Sequence, residues 1–339
     1  NMLNWYLQSG KDSDVIISSR IRLARNISNY PFETKCNETK KEEITKLIEE
    51  AISGNKYGIK LLKLKDMDDV TINSLIEKRL ISPDFVRGKE KSKAILINDD
   101  ENVCAMIHTD NHISLQVFGA GLELDNLLNL IIELDEYLDE KLKFAFNEKY
   151  GFLTACPIEA GTAMKASVMV HLPALQITGN IGKVLEIINN FGMNVTGIHG
   201  EGSKSEGALY QISNKQTLGI SEKEIIKKLK LITDKIIEQE RIARKYLGKN
   251  RLNLEDRLYR DYGILTNCRK ISESECKDLL STLKLGTDLG IVNELTDLKI
   301  NKLLLYTQDA NLQKYLGTKL EGIDLDAKRA ELIKTIIKE

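Results

Sequence analysis

The sequence predicts an α+β fold followed by a smaller all-helical one. Short apolar, β-branched runs separated by polar turns fill most of the chain up to about residue 214, and amphipathic helical stretches alternate with them. Beyond Gly248 the strand signals nearly vanish, while helix-start signals continue to the C-terminus. These observations divide the chain into an α+β domain over residues 1–248 and a helical domain over residues 251–339.

Residues 14–26 open as a β-branched run and continue with arginines at alternate positions, a strand projecting Arg20 and Arg22 from one face. Residues 39–52 form a helix whose Thr39 and Glu42 have capping-box spacing. The runs at 94–98, 103–107 and 113–118 are adjacent antiparallel strands. Leucines and isoleucines at helical spacing over 123–142 make a core-facing helix. Further strands fall at 167–172, 195–199 and 208–213, and a helix at 181–191 stops at Gly192. Ser221 and Glu224 form a capping box that opens a long helix to about Tyr246. Ser272 with Glu275 caps another, and 324–338 is the last.

Hydrophobic residues make up 42% of the 339 and charged residues 29%, the balance of a globular protein. The net charge of -1 gives no general pull toward nucleic acid. No apolar stretch reaches the roughly 20 residues that a membrane span needs, and the N-terminus lacks the basic and apolar pattern of a secretion signal. The 5 cysteines are scattered without a Cys-x-x-Cys pair, which fits a reducing, cytoplasmic setting. His108 and His112 flank a turn-like Thr-Asp-Asn rather than sharing a helix face, so no metal site is expected there.

Four patches interrupt the β-rich part. Three arginines, Arg20, Arg22 and Arg25, sit on one strand; they suit a multiply charged anion, or a solvated face with salt bridges. Asp110 lies in a turn between strands, as catalytic carboxylate or as ordinary turn chemistry. Cys156 precedes a proline and then the Gly161–Lys165 turn, as a thiolate beside an anion loop or as a small packed residue. Gly200-Glu201-Gly202-Ser203 presents a carboxylate between glycines, as a functional or a plain surface loop.

The order of these patches resembles the phosphagen kinase (ATP:guanido phosphotransferase) superfamily, and most of all its bacterial protein-arginine kinase branch. The resemblance runs through Ile17–Asn26 (ISSRIRLARN), Tyr150–Pro157 (YGFLTACP), Ala166–Met169 with His171–Pro173, Gly200–Ser203, Gln211–Asn214 and Tyr262–Cys268. It implies a glutamine-synthetase-like antiparallel sheet flanked by helices, with a small helical C-terminal domain. It also implies transfer of the ATP γ-phosphoryl, with Mg2+ held mainly through the phosphates, to arginine side chains of proteins in stress response and quality control. By position, Asp110, Glu201 and Cys156 would be catalytic. The nucleotide would meet Ser18, Ser19, Arg20, Ile21 and Arg22, with Arg79 and Ser114. It would also meet Lys165, Ala166, Ser167, Val168 and Met169, then Thr196, Gly197, Ile198, His199, Gly200 and Glu201. Asp326, Arg329 and Ala330 would bind phosphoarginine. Implied partners are arginine-bearing substrate proteins, a zinc-binding activator, a heat-shock repressor, a Clp unfoldase and a second copy of the chain.

Several positions depart from the pattern. Ser114, Lys165 and Thr196 stand where the family has arginine, Arg79 where it has histidine, and Ile158-Glu159-Ala160 where it has a Ser/Thr-Asn-apolar loop. The motif Leu325–Ala330 lacks its first arginine. Two readings follow: a kinase with a rearranged phosphate site that uses Arg79 and Lys165, or a pseudokinase that regulates by binding phosphoarginine or a partner.

Overall fold

A computed structural model describes residues 4–87, 92–197 and 205–339. The first domain contains β1 (Ile16–Arg25), α1 (Glu38–Ile52), β2 (Lys60–Lys63), α2 (Asp69–Glu77) and α3 (Pro83–Val86). Then come β3 (Ala94–Ile97), β4 (Val103–Ile107), β5 (Ile113–Ala120), α4 (Leu124–Leu142), β6 (Phe146–Asn147) and β7 (Gly151–Phe152). It closes with β8 (Met164–His171), α5 (Pro173–Ile177), α6 (Ile181–Asn190), β9 (Met193–Gly197), β10 (Leu209–Asn214) and α7 (Glu222–Leu247). The C-terminal part is helical throughout: α8 (Arg251–Asn267), α9 (Glu273–Asp288), α10 (Asp297–Tyr306), α11 (Asp309–Leu316) and α12 (Gly322–Lys338).

An eight-stranded sheet in the order β2-β3-β4-β5-β1-β8-β10-β9 forms the frame, and every pairing in it is antiparallel. Strand alternation gives the sheet two chemically different faces. One face sends Ile21, Leu23, Leu115, Val117 and Val168 into the main core, under α1, α4 and α7. The other carries Arg20 and Arg22; its β3–β5 side is covered by a smaller core that includes Leu75, Leu80 and Phe85. A separate core gathers Leu258, Leu280, Leu303 and Ile333 in the helical part.

Local signals explain most boundaries. Ser221 and Glu224 form the reciprocal capping box that opens α7, and Ser272 accepts from the Glu275 amide at the start of α9. The expected Thr39 cap is corrected: Asn37, in extended conformation, accepts from the Lys40 amide at 3.0 Å, so α1 starts at Glu38. The short, half-exposed β2 was not expected; its Lys-Leu-Leu-Lys has no alternation strong enough to read.

The helical part is stitched across the arginine face. Ser74 of α2 donates to Asn311 of α11 at 2.7 Å, Asn301 of α10 to the Leu7 and Gln8 carbonyls at 3.3 Å, and Lys284 of α9 to the Ser13 carbonyl at 3.0 Å. Among the described residues, no helix is long and apolar enough to cross a membrane.

Candidate active site

Strand register decides which of the expected residues meet. Directly opposed residues on antiparallel strands share a face. Arg20 lies opposite Phe118 and Ser167, Arg22 opposite Gln116 and Lys165, and Ser18 opposite Met169. Ser114 lies opposite Ala24, and Thr196 opposite Gln211, itself opposite Met169. Ser18, Arg20, Arg22, Ser114, Lys165, Ser167, Met169 and Thr196 therefore share one face. Ser19, Ile21, Ala166 and Val168 do not, so only their backbones are available to a ligand on this face. The last three are fully buried in the main core, and Ser19 Oγ donates to the Gly121 carbonyl at 2.7 Å. Gly197 ends β9 opposite Tyr210. Ile198, His199, Gly200 and Glu201 lie outside the described residues.

Beside these residues a cavity of about 380 Å³ opens between the sheet, α2 and the helical part, within the range of small-ligand sites. Ser18, Arg20, Gln116 and Met169 line it from the sheet, and Arg79 from just beyond α2. Trp5 also lines it and stacks on Phe118 with centroids 5.3 Å apart. Among the described residues, no carboxylate pairs with Arg20 or Arg79. Burial, then the Arg22 and Arg79 charges, pushes the Arg20 guanidinium down to about 9, and burial pushes Arg79 down to about 10. Both remain cationic at neutral pH. Uncompensated charge beside a cavity favours an anion that can take paired hydrogen bonds. Arg79 also holds a left-handed backbone, φ 63°, just beyond α2. Gln116 Oε1, in the cavity lining, is buried without a hydrogen-bond partner among the described residues and is a polar atom that a ligand could satisfy; Ser114 Oγ is likewise unpartnered but lies outside that lining.

Arg22 differs from its neighbours. Its Nη2 lies 3.1 Å from Glu159 Oε1, with the two side chains 26% and 37% exposed. Glu159 belongs to the short turn Pro157–Glu159 that follows Cys156. This turn is pinned by Thr217, whose hydroxyl donates to the Ile158 and Ala160 carbonyls at 3.0 and 2.9 Å.

Two asparagines that sequence reasoning passed over bring the Asp110 and Cys156 loops together. Asn111 Oδ1 accepts from Asn26 Nδ2 at 2.7 Å and from the Ala155 amide at 2.9 Å. Asn26 in turn accepts from the His112 amide at 3.0 Å and donates to the Leu153 carbonyl at 3.0 Å. Asp110 and Cys156, both exposed, are thus carried on loops tied at the end of β1. The available signal was a polar pair at the ends of otherwise apolar strands. His108 and His112 support the same corner. His108 contacts Glu33, Thr45 and the Lys41 carbonyl, and His112 bonds the Ile27 amide and the Pro31 carbonyl. Arg25 is spent on Asp135, at 2.7 Å, and lies over the Phe152 ring at 3.5 Å.

Of the residues expected to bind phosphoarginine, Asp326 is partly exposed while Arg329 and Ala330 are buried. Arg329 is 1% exposed. It donates to the Thr307 and Ile271 carbonyls at 2.7 Å each and to Asp326 at 2.5 Å, and it pairs with Asp309. Ala330 is fully buried. With four of its five N–H donors committed and its side chain buried, Arg329 braces α9, α11 and α12.

An antiparallel sheet with a cationic face beside a cavity defines an anion-binding class of site, and comparisons with known proteins say which family carries it. Residues 40–243 match the family model of the ATP:guanido phosphotransferase C-terminal catalytic domain. Residues 251–339 match that of the protein-arginine kinase McsB C-terminal domain. The chain is 44% identical over 337 residues to a protein-arginine kinase of Halothermothrix orenii, covering 99% of the chain and 96% of that protein. It is 40% identical over 340 residues to one of a Geobacillus species, covering 99% and 94%. Among solved structures, lombricine kinase superposes with a TM-score of 0.61 at 22% identity, covering 69% of this chain and 68% of that one. The duplicated taurocyamine kinase of Schistosoma mansoni with transition-state analogue components gives 0.61 at 24%, covering 67% and 33%. The chain belongs to the ATP:guanido phosphotransferase family, in the branch that carries the McsB-type helical C-terminal domain.

Proposed function

We propose that the chain is a protein-arginine kinase that transfers the γ-phosphoryl group of ATP to arginine side chains of other proteins. The observation that carries this reading is the unpaired Arg20–Arg79 charge beside the cavity, on the same face as Arg22, whose ion pair leads to the Cys156 turn. Phosphoryl transfer needs positioning and charge stabilisation more than covalent chemistry. Arg20, Arg79 and Lys165 supply that charge, and Gln116 offers a neutral polar contact. Magnesium would come with the nucleotide phosphates and spread their charge.

A protonated guanidinium is a poor nucleophile, so carboxylates must orient it and take up its proton. Asp110 is exposed for that role on a loop that Asn111 ties to the Ala155 amide, next in sequence to Cys156, and Glu201 takes it by family position. Cys156, as thiolate, would face the acceptor cation. The stress-response setting and the activator, repressor, unfoldase and homodimer partners belong to the same proposal.

A second reading has one specific observation in its favour. Glu159 already neutralises Arg22, while Ser114 and Thr196 carry no charge where the family has arginine. A pseudokinase that binds without transfer would look like this. Incubation with γ-labelled ATP, magnesium and an arginine-rich protein separates the two. Acid-labile label on protein, absent in Glu201→Gln, supports the kinase; no label from the wild type, and no ATP binding by titration, supports the pseudokinase.

A further inference from the structure

A single helical turn, Trp5–Leu7, precedes β1 and packs between β5 and α10. Its Trp5 and Tyr6 line the same cavity as Arg20, Lys78 and Arg79. Phe118 of β5 links Trp5 to Arg20. It lies directly opposite Arg20 in the sheet register, and the Arg20 guanidinium carbon sits 5.9 Å from its ring centroid, within reach of a cation–π contact. The Trp5 ring stacks on the same ring, with the planes 12° apart. Phe118 is 3% exposed, so close packing leaves its ring little room to turn while Trp5 is in place.

Glu101 links the same turn to Arg79. Trp5 Nε1 donates to the Glu101 carbonyl at 2.9 Å, and the Tyr6 hydroxyl donates to Glu101 Oε2 at 2.8 Å. Lys78 Nζ donates to both Glu101 carboxylate oxygens, at 3.0 and 2.8 Å, and lies 5.1 Å from the Tyr6 ring centroid. Burial, then the Glu101 charge, pushes the Tyr6 hydroxyl above its ordinary value, so it stays protonated and remains the donor. Lys78 immediately precedes Arg79, whose left-handed backbone persists only where its surroundings over-determine it. The helical part fastens the turn from the far side: Asn301 holds the Leu7 and Gln8 carbonyls, and Ser9 donates to Asp297 at 3.3 Å.

We propose that Trp5 and Tyr6 are positioning residues for the two phosphate-binding arginines of the cavity. Trp5 sets the Arg20 guanidinium through Phe118, and Tyr6 sets Arg79 through Glu101 and Lys78. The inference rests on the reading of this cavity as the nucleotide site. An arginine grips phosphate by meeting two oxygens at once with a planar fork. A guanidinium that is free to swing loses much of that grip while keeping its charge.

The test uses the full chain. A non-hydrolysable ATP analogue with magnesium is titrated by calorimetry, and KM values for ATP and for a single-arginine peptide are read from initial rates. Trp5→Ala should raise Kd for the analogue and KM for ATP by about tenfold, and Tyr6→Phe by about threefold, with the peptide KM and the thermal midpoint near wild type. Trp5→Phe keeps a ring against Phe118 and should recover most of the loss. Wild-type affinity in both Trp5→Ala and Tyr6→Phe, or loss of ATP and peptide parameters together with a lowered thermal midpoint, overturns the positioning role alone. Arg20→Ala and Arg79→Ala decide the reading beneath it. If both bind the analogue as the wild type does, or if the wild type does not bind it, the cavity is not the nucleotide site and the positioning role falls with it.

Discussion

Arg22 and Glu159 hold opposite charges where the proposed phosphoryl transfer calls for a free cation. The pair is partly exposed, and such pairs contribute about 0.2–1 kcal/mol, so nucleotide phosphates can displace Glu159 at modest cost. Glu159→Gln should therefore lower KM for ATP by up to roughly fivefold, read from initial rates at saturating peptide; an unchanged KM would mean that Arg22 does not meet the nucleotide. The position of this acid was legible in the sequence because Glu159 follows Cys156 so closely. The fate of Arg329 was not. An Asp–Arg pair three residues apart reads the same whether it lies on a solvated surface or is buried. What buries Arg329 is the Ile271 and Thr307 carbonyls and Asp309, 58, 22 and 20 residues away. The Asn26–Asn111 bond was hidden for the same reason, spanning 85 residues.

At the scale of elements, period and capping chemistry made β1, α4 and α7 readable, since each is specified by its own residues. Period also splits what a contiguous motif suggests: the 18–22 and 165–169 stretches each turn two of their five side chains away from the arginine face. The turn after Cys156 depends on contacts that no local pattern shows. Gly161 has φ +100°, and a Cβ there would stand 2.4 Å from the Thr217 carbonyl oxygen. Gly161→Ala must then push apart the turn that carries Glu159 and the strand connection that pins it. The strained backbone alone costs about 1–3 kcal/mol. A lower urea midpoint of that size, with faster thiol labelling of Cys156, is the expected outcome; a midpoint equal to wild type would mean that the turn is not held by this close approach.

At the scale of the whole molecule, the change of texture near Gly248 announced a helical domain but not how it closes over the site. The closure rests on Glu77, at the end of α2 and two residues before Arg79. Its two carboxylate oxygens accept from the Ala310 and Asn311 amides at 2.7 Å each, capping α11 across 233 and 234 residues of sequence. Burial, then the Glu273 and Asp309 charges, outweighs these donors and raises the Glu77 carboxyl to about 7. The folded state thus binds this proton more tightly than the unfolded chain does. The stabilising contribution is complete below the ordinary carboxyl value of 4.5 and is lost as pH rises through about 7. Glu77→Gln has no proton to lose. The stability of the wild type relative to this variant, followed by the thermal midpoint, should therefore fall between pH 5 and pH 7 and level off above that, with a slope no steeper than about 1.4 kcal/mol per pH unit for one proton. A difference that stays flat across that range would show that Glu77 is ionised in the folded protein throughout, and that the α11 amides rather than burial decide its charge. Because Arg79 follows Glu77 so closely, the same titration should weaken ATP binding in step with stability if the α2–α11 contact is what holds Arg79 at the cavity.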